Sequence, residues 1–378
     1  RMKKITVLGA GMVGRAMAVE LSKKHRVTSA DIDAKALGML PDSTGIQKIP
    51  LDVTDHDALA SAISGSDTVI SAVPGFLGLQ TMEQVIRQKK DLVDISFLPE
   101  DAGHLDPLAR ENGVTVVMDC GVAPGMPNYI VGYHNERMKI EAMEYMVGGL
   151  PKTRRWPFEY KAPFSPCDVI EEYTRPARYV ENGRTVVKAA MSDPEKIHFD
   201  GVGTLEAFNT DGLRSLIRTM SHIPDMKEKT LRYPGHINLI MALRDAGFFG
   251  KEPVSVNGTD VTPIDFTSKI LFKAWKPGDE EPEFTVMRIR IRGTEEGVAR
   301  EINYDLYDEF DPAEKLSSMA RTTGFTATGT AEMILNGIFI GKGVFPPELV
   351  GRNARCFEFI ISYLRDRNIH YRVTSRNI

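Results

Sequence analysis

The chain has 378 residues, 42% of them hydrophobic and 26% charged, with a formal net charge of −4. That length predicts two domains or three, each able to bury a core, and the balance excludes both wholesale disorder and the basic surface that a nucleic acid or an anionic membrane requires. Three widely spaced cysteines, Cys120, Cys167 and Cys356, predict neither a disulfide framework nor a zinc site.

Ile5–Leu8 reads as a short apolar strand, and Met12–Leu21 has apolar residues at helical spacing. Val27–Ala30 forms a second strand ending at Asp31, and Asp33 caps a helix through Leu40. A third strand, Ile46–Leu51, is followed by a helix capped by Asp55 and running through Ile63. Thr68–Ala72 is a fourth strand, Leu79–Lys89 a helix and Leu92–Ile95 a fifth strand. One more helix precedes the sixth strand, Val114–Met118. This alternation predicts an α/β fold: a doubly wound parallel sheet of the Rossmann type over residues 1–125. The rhythm changes at Gly121-Val122-Ala123-Pro124-Gly125. Strand-like runs at Thr285–Ile291 and Ala299–Leu306, with helices at Leu213–Met220, His236–Ala246 and Pro263–Ala274, predict an α+β domain over 126–323 with a largely antiparallel sheet. Gly324–Tyr371 reads as helix and is expected to pack back on the first domain, with Ile334–Val344 as core. The acid clusters Asp279-Glu280-Glu281 and Tyr307-Asp308-Glu309 read as solvated turns, and no metal is expected.

Gly9-Ala10-Gly11-Met12-Val13-Gly14 fits G-x-G-x-x-G between a strand and a helix, and Asp31 closes the next strand. Together these form a dinucleotide fingerprint. Gly9 allows the tight turn, Gly11 the close approach of a diphosphate, and Gly14 the packing of helix on strand, while the helix N-terminus offers free N–H groups. Asp31, followed by Ile32, suits ribose hydroxyls and repels a 2′-phosphate, so NAD is expected in preference to NADP. Ligands bind beyond the carboxyl ends of parallel strands, which brings Asp52-Val53 and Ala72-Val73-Pro74 to the same cleft. No apolar run approaches the roughly 20 residues of a membrane span, and no signal peptide is read. Met2 is expected to be the natural start, after a remnant Arg1, in a cytoplasmic protein.

Several further strings carry a resemblance. They are Asp94-Ile95-Ser96-Phe97, Asp119-Cys120-Gly121-Val122-Ala123-Pro124-Gly125, Gly148-Gly149-Leu150-Pro151, Trp156 to Tyr173, Asp211-Gly212-Leu213-Arg214 and Thr230-Leu231-Arg232-Tyr233-Pro234-Gly235-His236. In this order, and over nearly the whole chain, they resemble the saccharopine dehydrogenase family, with its lysine 6-dehydrogenase branch most similar. The resemblance implies a homodimer that uses NAD to deaminate L-lysine oxidatively at the ε-carbon. The product would be 2-aminoadipate 6-semialdehyde, which cyclises to Δ1-piperideine-6-carboxylate. Relatives that handle saccharopine carry an aspartate where this chain has Ala123 and tend to have a cysteine where it has Val147, which favours a smaller substrate. Two alternatives remain: saccharopine or carboxynorspermidine chemistry on a secondary amine, and a non-catalytic NAD(H)-sensing protein.

The proposed reaction needs a neutral amine, although the lysine side chain has a reference pKa of about 10.4, and it needs a general base for water. Asp94, Asp119 and Lys161 are the candidates. A cationic fork should hold the substrate carboxylate; Arg214 and Arg232 are expected there, with His236 orienting the substrate or bonded to backbone. Asn128 either caps a helix or faces the cofactor. Ser96, Cys120 and Gly121 are expected at the cofactor, with Cys120 as a small buried wall rather than a nucleophile.

Overall fold

The computed structural model describes residues 2–278 and 280–378. Arg1 and Asp279, read above as a remnant and as part of a solvated turn, lie outside the described residues. The first 117 residues alternate strand and helix: β1 (Lys4–Leu8), α1 (Met12–Ser22), β2 (Arg26–Asp31), α2 (Ala34–Gly38), β3 (Gln47–Pro50), α3 (His56–Ile63), β4 (Thr68–Ser71), α4 (Gly75–Arg87), β5 (Asp91–Asp94), α5 (Asp106–Glu111) and β6 (Thr115–Val117). Their central strands are buried, β4 at every position, as a sheet covered on both faces demands. Asp33 and Asp55 cap α2 and α3 through their carboxylates, which is why those helices start where the sequence places them.

After α6 (Met126–Asn135) come β7 (Lys139–Pro151), α7 (Pro166–Thr174), β8 (Ala177–Glu181), β9 (Arg184–Lys188), β10 (Glu195–Phe199), β11 (Gly203–Asn209), α8 (Leu216–Thr219), β12 (Asp225–Arg232) and α9 (His236–Asp245). The separate hairpin of β13 (Val254–Val256) and β14 (Thr259–Val261) precedes α10 (Pro263–Trp275), β15 (Glu283–Glu295) and β16 (Val298–Glu309). The chain ends with α11 (Ser318–Leu335), β17 (Gly343–Phe345), α12 (Pro347–Gly351), α13 (Ala354–Arg365) and β18 (Tyr371–Asn377).

Two large sheets result. The first is parallel, in the order β17-β6-β5-β4-β1-β2-β3. Chain order reverses between β1 and β4, and a ligand cleft opens at such a switch point. The second has nine strands, with the path β10-β11-β12-β7-β15-β16-β18 and β8 and β9 attached at β12. It is mostly antiparallel, but β12 pairs parallel with β7, Glu228 beside Tyr145 and Thr230 beside Val147.

The structure departs from the sequence reading in three places and decides between two alternatives in a fourth. Residues 324–371 are not simply helical, because Gly343–Phe345 forms the seventh strand of the parallel sheet, and β18 follows as an edge strand on β16. α8 spans only Leu216–Thr219 because Arg214 sits at φ +52°, outside helical space. Asp308 is no solvated turn: it is buried on β16, where Ser318 Oγ and Arg321 Nη1 donate to it. Asn128 caps α6, accepting from Gly125 N–H and donating to Glu348.

Helices α6 and α12 meet backbone to backbone. A Cβ added at Gly132 would lie 2.0 Å from the Glu348 carbonyl oxygen, and one at Gly351 would lie 2.4 Å from the Tyr129 carbonyl oxygen. Neither backbone can yield as a side chain does. Gly132→Ala is expected to cost about 2 kcal/mol or more by overpacking and to lower Tm by about 3 °C or more in a thermal melt; an unchanged Tm would show that the helices do not touch in this way.

Candidate active site

A cleft of about 1660 Å³ is lined from the first sheet by the glycine loop and the ends of β2, β3 and β4, and from the second by β7 and β12. Gly9 takes φ +99°, and a Cβ there would meet the Ala72 carbonyl oxygen at 2.6 Å; one at Gly14 would meet the Gly9 carbonyl oxygen at 2.0 Å. A Cβ at Gly11 would meet nothing within 4 Å, so the loop is packed behind and open in front. Gly11 also starts α1 without a side-chain cap, which leaves the N–H groups of the first turn free for a ligand. Asp31 closes the arrangement, its Oδ2 accepting from Ala10 N–H at 2.6 Å and its Oδ1 from Asp33 N–H at 2.8 Å. These residues fit a dinucleotide: open glycine backbone for a diphosphate and an acid for ribose hydroxyls.

Met12, Val13, Ile32, Asp52, Val53, Ala72, Val73 and Pro74 also line the cleft. Asp52 turns partly to its own loop, accepting from the Thr54 N–H and hydroxyl, which hold its carboxyl below the usual range. Ala10 is buried behind the loop and meets the cleft only through its bond to Asp31.

The remaining candidates separate into those that face the cleft and those that do not. Ser96, Asp119, Gly121, Lys161 and Arg232 line it, whereas Asp94, Cys120, Arg214 and His236 do not. Asp94 is fully buried behind Ser96, whose N–H and hydroxyl donate to it at 3.0 and 2.7 Å, and burial pushes its pKa up to about 7. It can orient Ser96 but does not reach a substrate. Cys120 donates to Thr330 Oγ1, and burial pushes its thiol up to about 12, which removes any nucleophilic role. Lys161 donates to the Ala274 carbonyl oxygen.

The two arginines expected to form a carboxylate fork are engaged elsewhere. Arg214 Nε donates to Asp119 Oδ2 at 2.8 Å, and its Nη1 donates to the Leu98 carbonyl oxygen at 2.6 Å. Asp119 keeps one oxygen, Oδ1, buried and without a hydrogen-bond partner among the described residues. Arg232 reaches the cleft, but its guanidinium donates to Glu172, Tyr173, Tyr160 and the Leu231 carbonyl oxygen. His236 completes this network and leaves the substrate role: Nδ1–H donates to the Phe158 carbonyl oxygen, and Nε2 accepts from Tyr173. Burial and the nearby Arg232 push its pKa down to about 3, so the ring is neutral.

The structure also brings forward side chains that sequence reasoning missed. Arg175, at the end of α7, lines the cleft with its guanidinium 4.6 Å from the centre of the Phe97 ring. Asp168 and Glu172, one helical turn apart on α7, and Glu228 on β12 line the cleft beside it. Burial pushes Asp168 up to about 6, against the pull of the Ser165 hydroxyl, Arg175 and the Gly75 N–H. On β12, Glu228, Thr230 and Arg232 face the cleft while Lys229 and Leu231 do not, the alternation of a strand. That period was present in the sequence and is the signal that would have found Glu228.

Comparison with known proteins agrees with this geometry. Residues 5–117 match the family model of the saccharopine dehydrogenase NADP binding domain, and residues 121–369 match that of the saccharopine dehydrogenase C-terminal domain. Saccharopine dehydrogenase [NADP(+), L-glutamate-forming] of Saccharomyces cerevisiae is 27% identical over 259 residues, covering 65% of this chain and 58% of that protein. Alpha-aminoadipic semialdehyde synthase of Arabidopsis thaliana is 25% identical over 315 residues, covering 75% of this chain and 28% of that protein. The chain thus matches little more than half of the yeast relative and under a third of the plant one. The solved structure of apo saccharopine dehydrogenase (L-Glu forming) from Saccharomyces cerevisiae shares the fold, with a TM-score of 0.80 at 21% identity over 99% of this chain and 100% of that one. With the two family models together covering nearly the whole chain, this chain belongs to the saccharopine dehydrogenase family.

Proposed function

We propose that this chain is an NAD-dependent amine dehydrogenase that oxidises L-lysine at its ε-carbon. The observation that carries the substrate is the charge of the cleft wall. Around the second sheet it presents Asp168, Glu171, Glu172 and Glu228 against Lys161, Arg175 and Arg232, and Arg232 is already paired with Glu172. Lysine brings two amines and one carboxylate to such a wall; saccharopine brings three carboxylates. An acid-rich, largely desolvated wall favours the first and repels the second. Asp31 supports NAD, although the fungal relatives are named for NADP.

The nicotinamide ring, when bound, supplies the acceptor for a hydride. The chain's own residues do the rest. Asp119, held by the Arg214 pair at the cleft lining, accepts a hydrogen bond from the reacting amine and orients its lone pair once a side-chain rotation brings Oδ1, buried and without a partner among the described residues, to the surface. Arg175, which lies over the Phe97 ring and is paired only with the half-exposed Glu171 at 3.2 Å, takes the α-carboxylate in place of Arg214 and Arg232. Phe97, Val147 and Phe164 line the cleft with apolar surface, and such surface lowers an amine's pKa by desolvation. Imine hydrolysis then needs a water and a base; Asp119 and Lys161 are the groups on the cleft that serve. Lysine alone supporting NADH formation, within a panel of single amino acids, keto acids and amine–aldehyde pairs, tests this reading. Turnover only of a keto acid or aldehyde with an amine would select secondary-amine chemistry instead.

Three outcomes follow from these assignments. NAD is expected to bind at least about tenfold more tightly than NADP, a difference of about 1.4 kcal/mol, in a fluorescence titration; equal affinities or the reverse order would remove Asp31 from the ribose. The kcat/KM for lysine is expected to rise from neutral toward alkaline pH, because free lysine arrives with an ε-ammonium of pKa about 10.4 that must be deprotonated. A flat profile over that range contradicts a required neutral amine. Arg175→Ala is expected to lower kcat/KM for lysine about tenfold to a hundredfold, the weight of a charged hydrogen bond, with cofactor affinity unchanged. Normal kcat/KM in a folded variant would place the carboxylate elsewhere.

A further inference from the structure

Most buried carboxylates on the cleft wall have an arginine of their own. Asp119 has Arg214, Glu172 has Arg232, and Asp211 has Arg178 through two hydrogen bonds. Glu228 has none: among the described residues, no lysine, arginine or histidine forms an ion pair with it. It is only 4% exposed. The Thr210 hydroxyl donates to its Oε2 at 2.6 Å, and the Gly212 N–H also faces it. Its charged neighbours are the acids Glu172 and Asp211, and with burial as the main cause they push its pKa up to about 8. The fold keeps room for this carboxyl at some cost in sequence freedom, since a Cβ at Gly212 would come within 2.4 Å of Glu228 Cδ. Thr210 is held in turn by Thr230, oxygen to oxygen at 2.8 Å. A buried acid without a countercharge is destabilising in the empty protein and becomes favourable when a cation reaches it.

We propose that Glu228, with Thr210 beside it, is the subsite for the substrate ammonium that stays charged, the α-ammonium of a basic amino acid. The assignment rests on the lysine reading and adds the determinant of its specificity. The ε-amine must give up its proton before its carbon can lose hydride; the α-amine need not. A carboxyl that ionises as a cation reaches it therefore serves the α-ammonium, and such a negative partner would hinder the reacting amine. The same charge, beside Glu172 and Asp211, rejects a substrate that places a second carboxylate here.

Glu228→Gln tests the proposal, because the amide keeps the shape and can still accept from Thr210. Lysine affinity is measured by calorimetry and KM by turnover, with 6-aminohexanoate, which lacks the α-amine, as the control; cofactor binding and a thermal melt report folding. Lysine affinity is expected to fall about tenfold to a hundredfold, as for loss of a charged hydrogen bond, with the loss in KM rather than kcat. For 6-aminohexanoate, E228Q and the parent protein are expected to be equally poor. Unchanged lysine affinity overturns the proposal. So does an equal loss of kcat on both substrates, which would make Glu228 a base. If E228Q does not fold, Glu228→Asp withdraws the charge by one methylene; weaker lysine binding with kcat retained supports the subsite, and unchanged binding overturns it. Lysine binding that is lost in E228Q, with no turnover in either protein, keeps the subsite and removes the dehydrogenase reading. Absence of lysine binding to the parent protein removes both.

Discussion

The ion pair between Asp119 and Arg214 joins the two halves of the site. Asp119 follows β6 of the parallel sheet, and Arg214 follows the turn that carries Thr210, Asp211 and Gly212. Both stand in left-handed backbone, at φ +51° and +52°, an uncommon state for residues with side chains. Both are buried, their carboxylate and guanidinium 2.8 Å apart. Removing one partner of such a pair costs about 3–5 kcal/mol, because the other charge is left buried and alone. The pair thereby fixes the Asp119 carboxylate behind the cleft surface, with Oδ1 buried, and sets the Thr210–Gly212 turn against Glu228. The arginine expected to bind substrate instead aligns the groups to which the proposed function gives that role.

A second constraint comes from the C-terminal segment, which belongs to both sheets. β17 extends the parallel sheet beyond β6, and β18 extends the mixed sheet beyond β16. Ahead of both in the chain, α11 packs on α1, the helix that the glycine loop opens. Arg367 reaches back to Glu20 on α1 at 2.6 Å, and His25 meets Glu332 of α11 at 2.8 Å. The cofactor loop and the substrate wall are thus anchored by one continuous stretch of chain. Hydride transfer as proposed would need such a rigid backing, to hold donor and acceptor in register.

The parallel sheet and its glycine loop were legible because their signals are local. Strand, glycines and Asp31 lie within a few tens of residues, and each is demanded by backbone sterics or by a cap. β17 was not legible, since three residues at the end of the apolar run Ile334–Val344 and just beyond it look the same whether they pack as helix or pair as strand. β18 carries mostly exposed polar residues and joins only one neighbour, so it shows no apolar period. The substrate groups failed for a different reason. Residue type revealed that arginines were present, but not that Arg214 would meet Asp119, 95 residues away, or that Arg232 would be enclosed by Glu172 and two tyrosines. Arg175 and Glu228 stand out only once those partners are assigned: Glu228 has no ion-pair partner among the described residues, and Arg175 is paired only with the half-exposed Glu171.

The central claim is that hydride leaves the ε-carbon of a basic amino acid on this acidic wall. The direct measurement is isotope transfer: lysine deuterated at the ε-carbon, and separately at the α-carbon, is incubated with the protein and NAD, and the reduced cofactor is analysed by mass spectrometry. Deuterium should enter the reduced nicotinamide from the ε-labelled lysine and not from the α-labelled one. Label arriving from the α-carbon, or reduced cofactor formed from ε-labelled lysine without deuterium, would contradict the account.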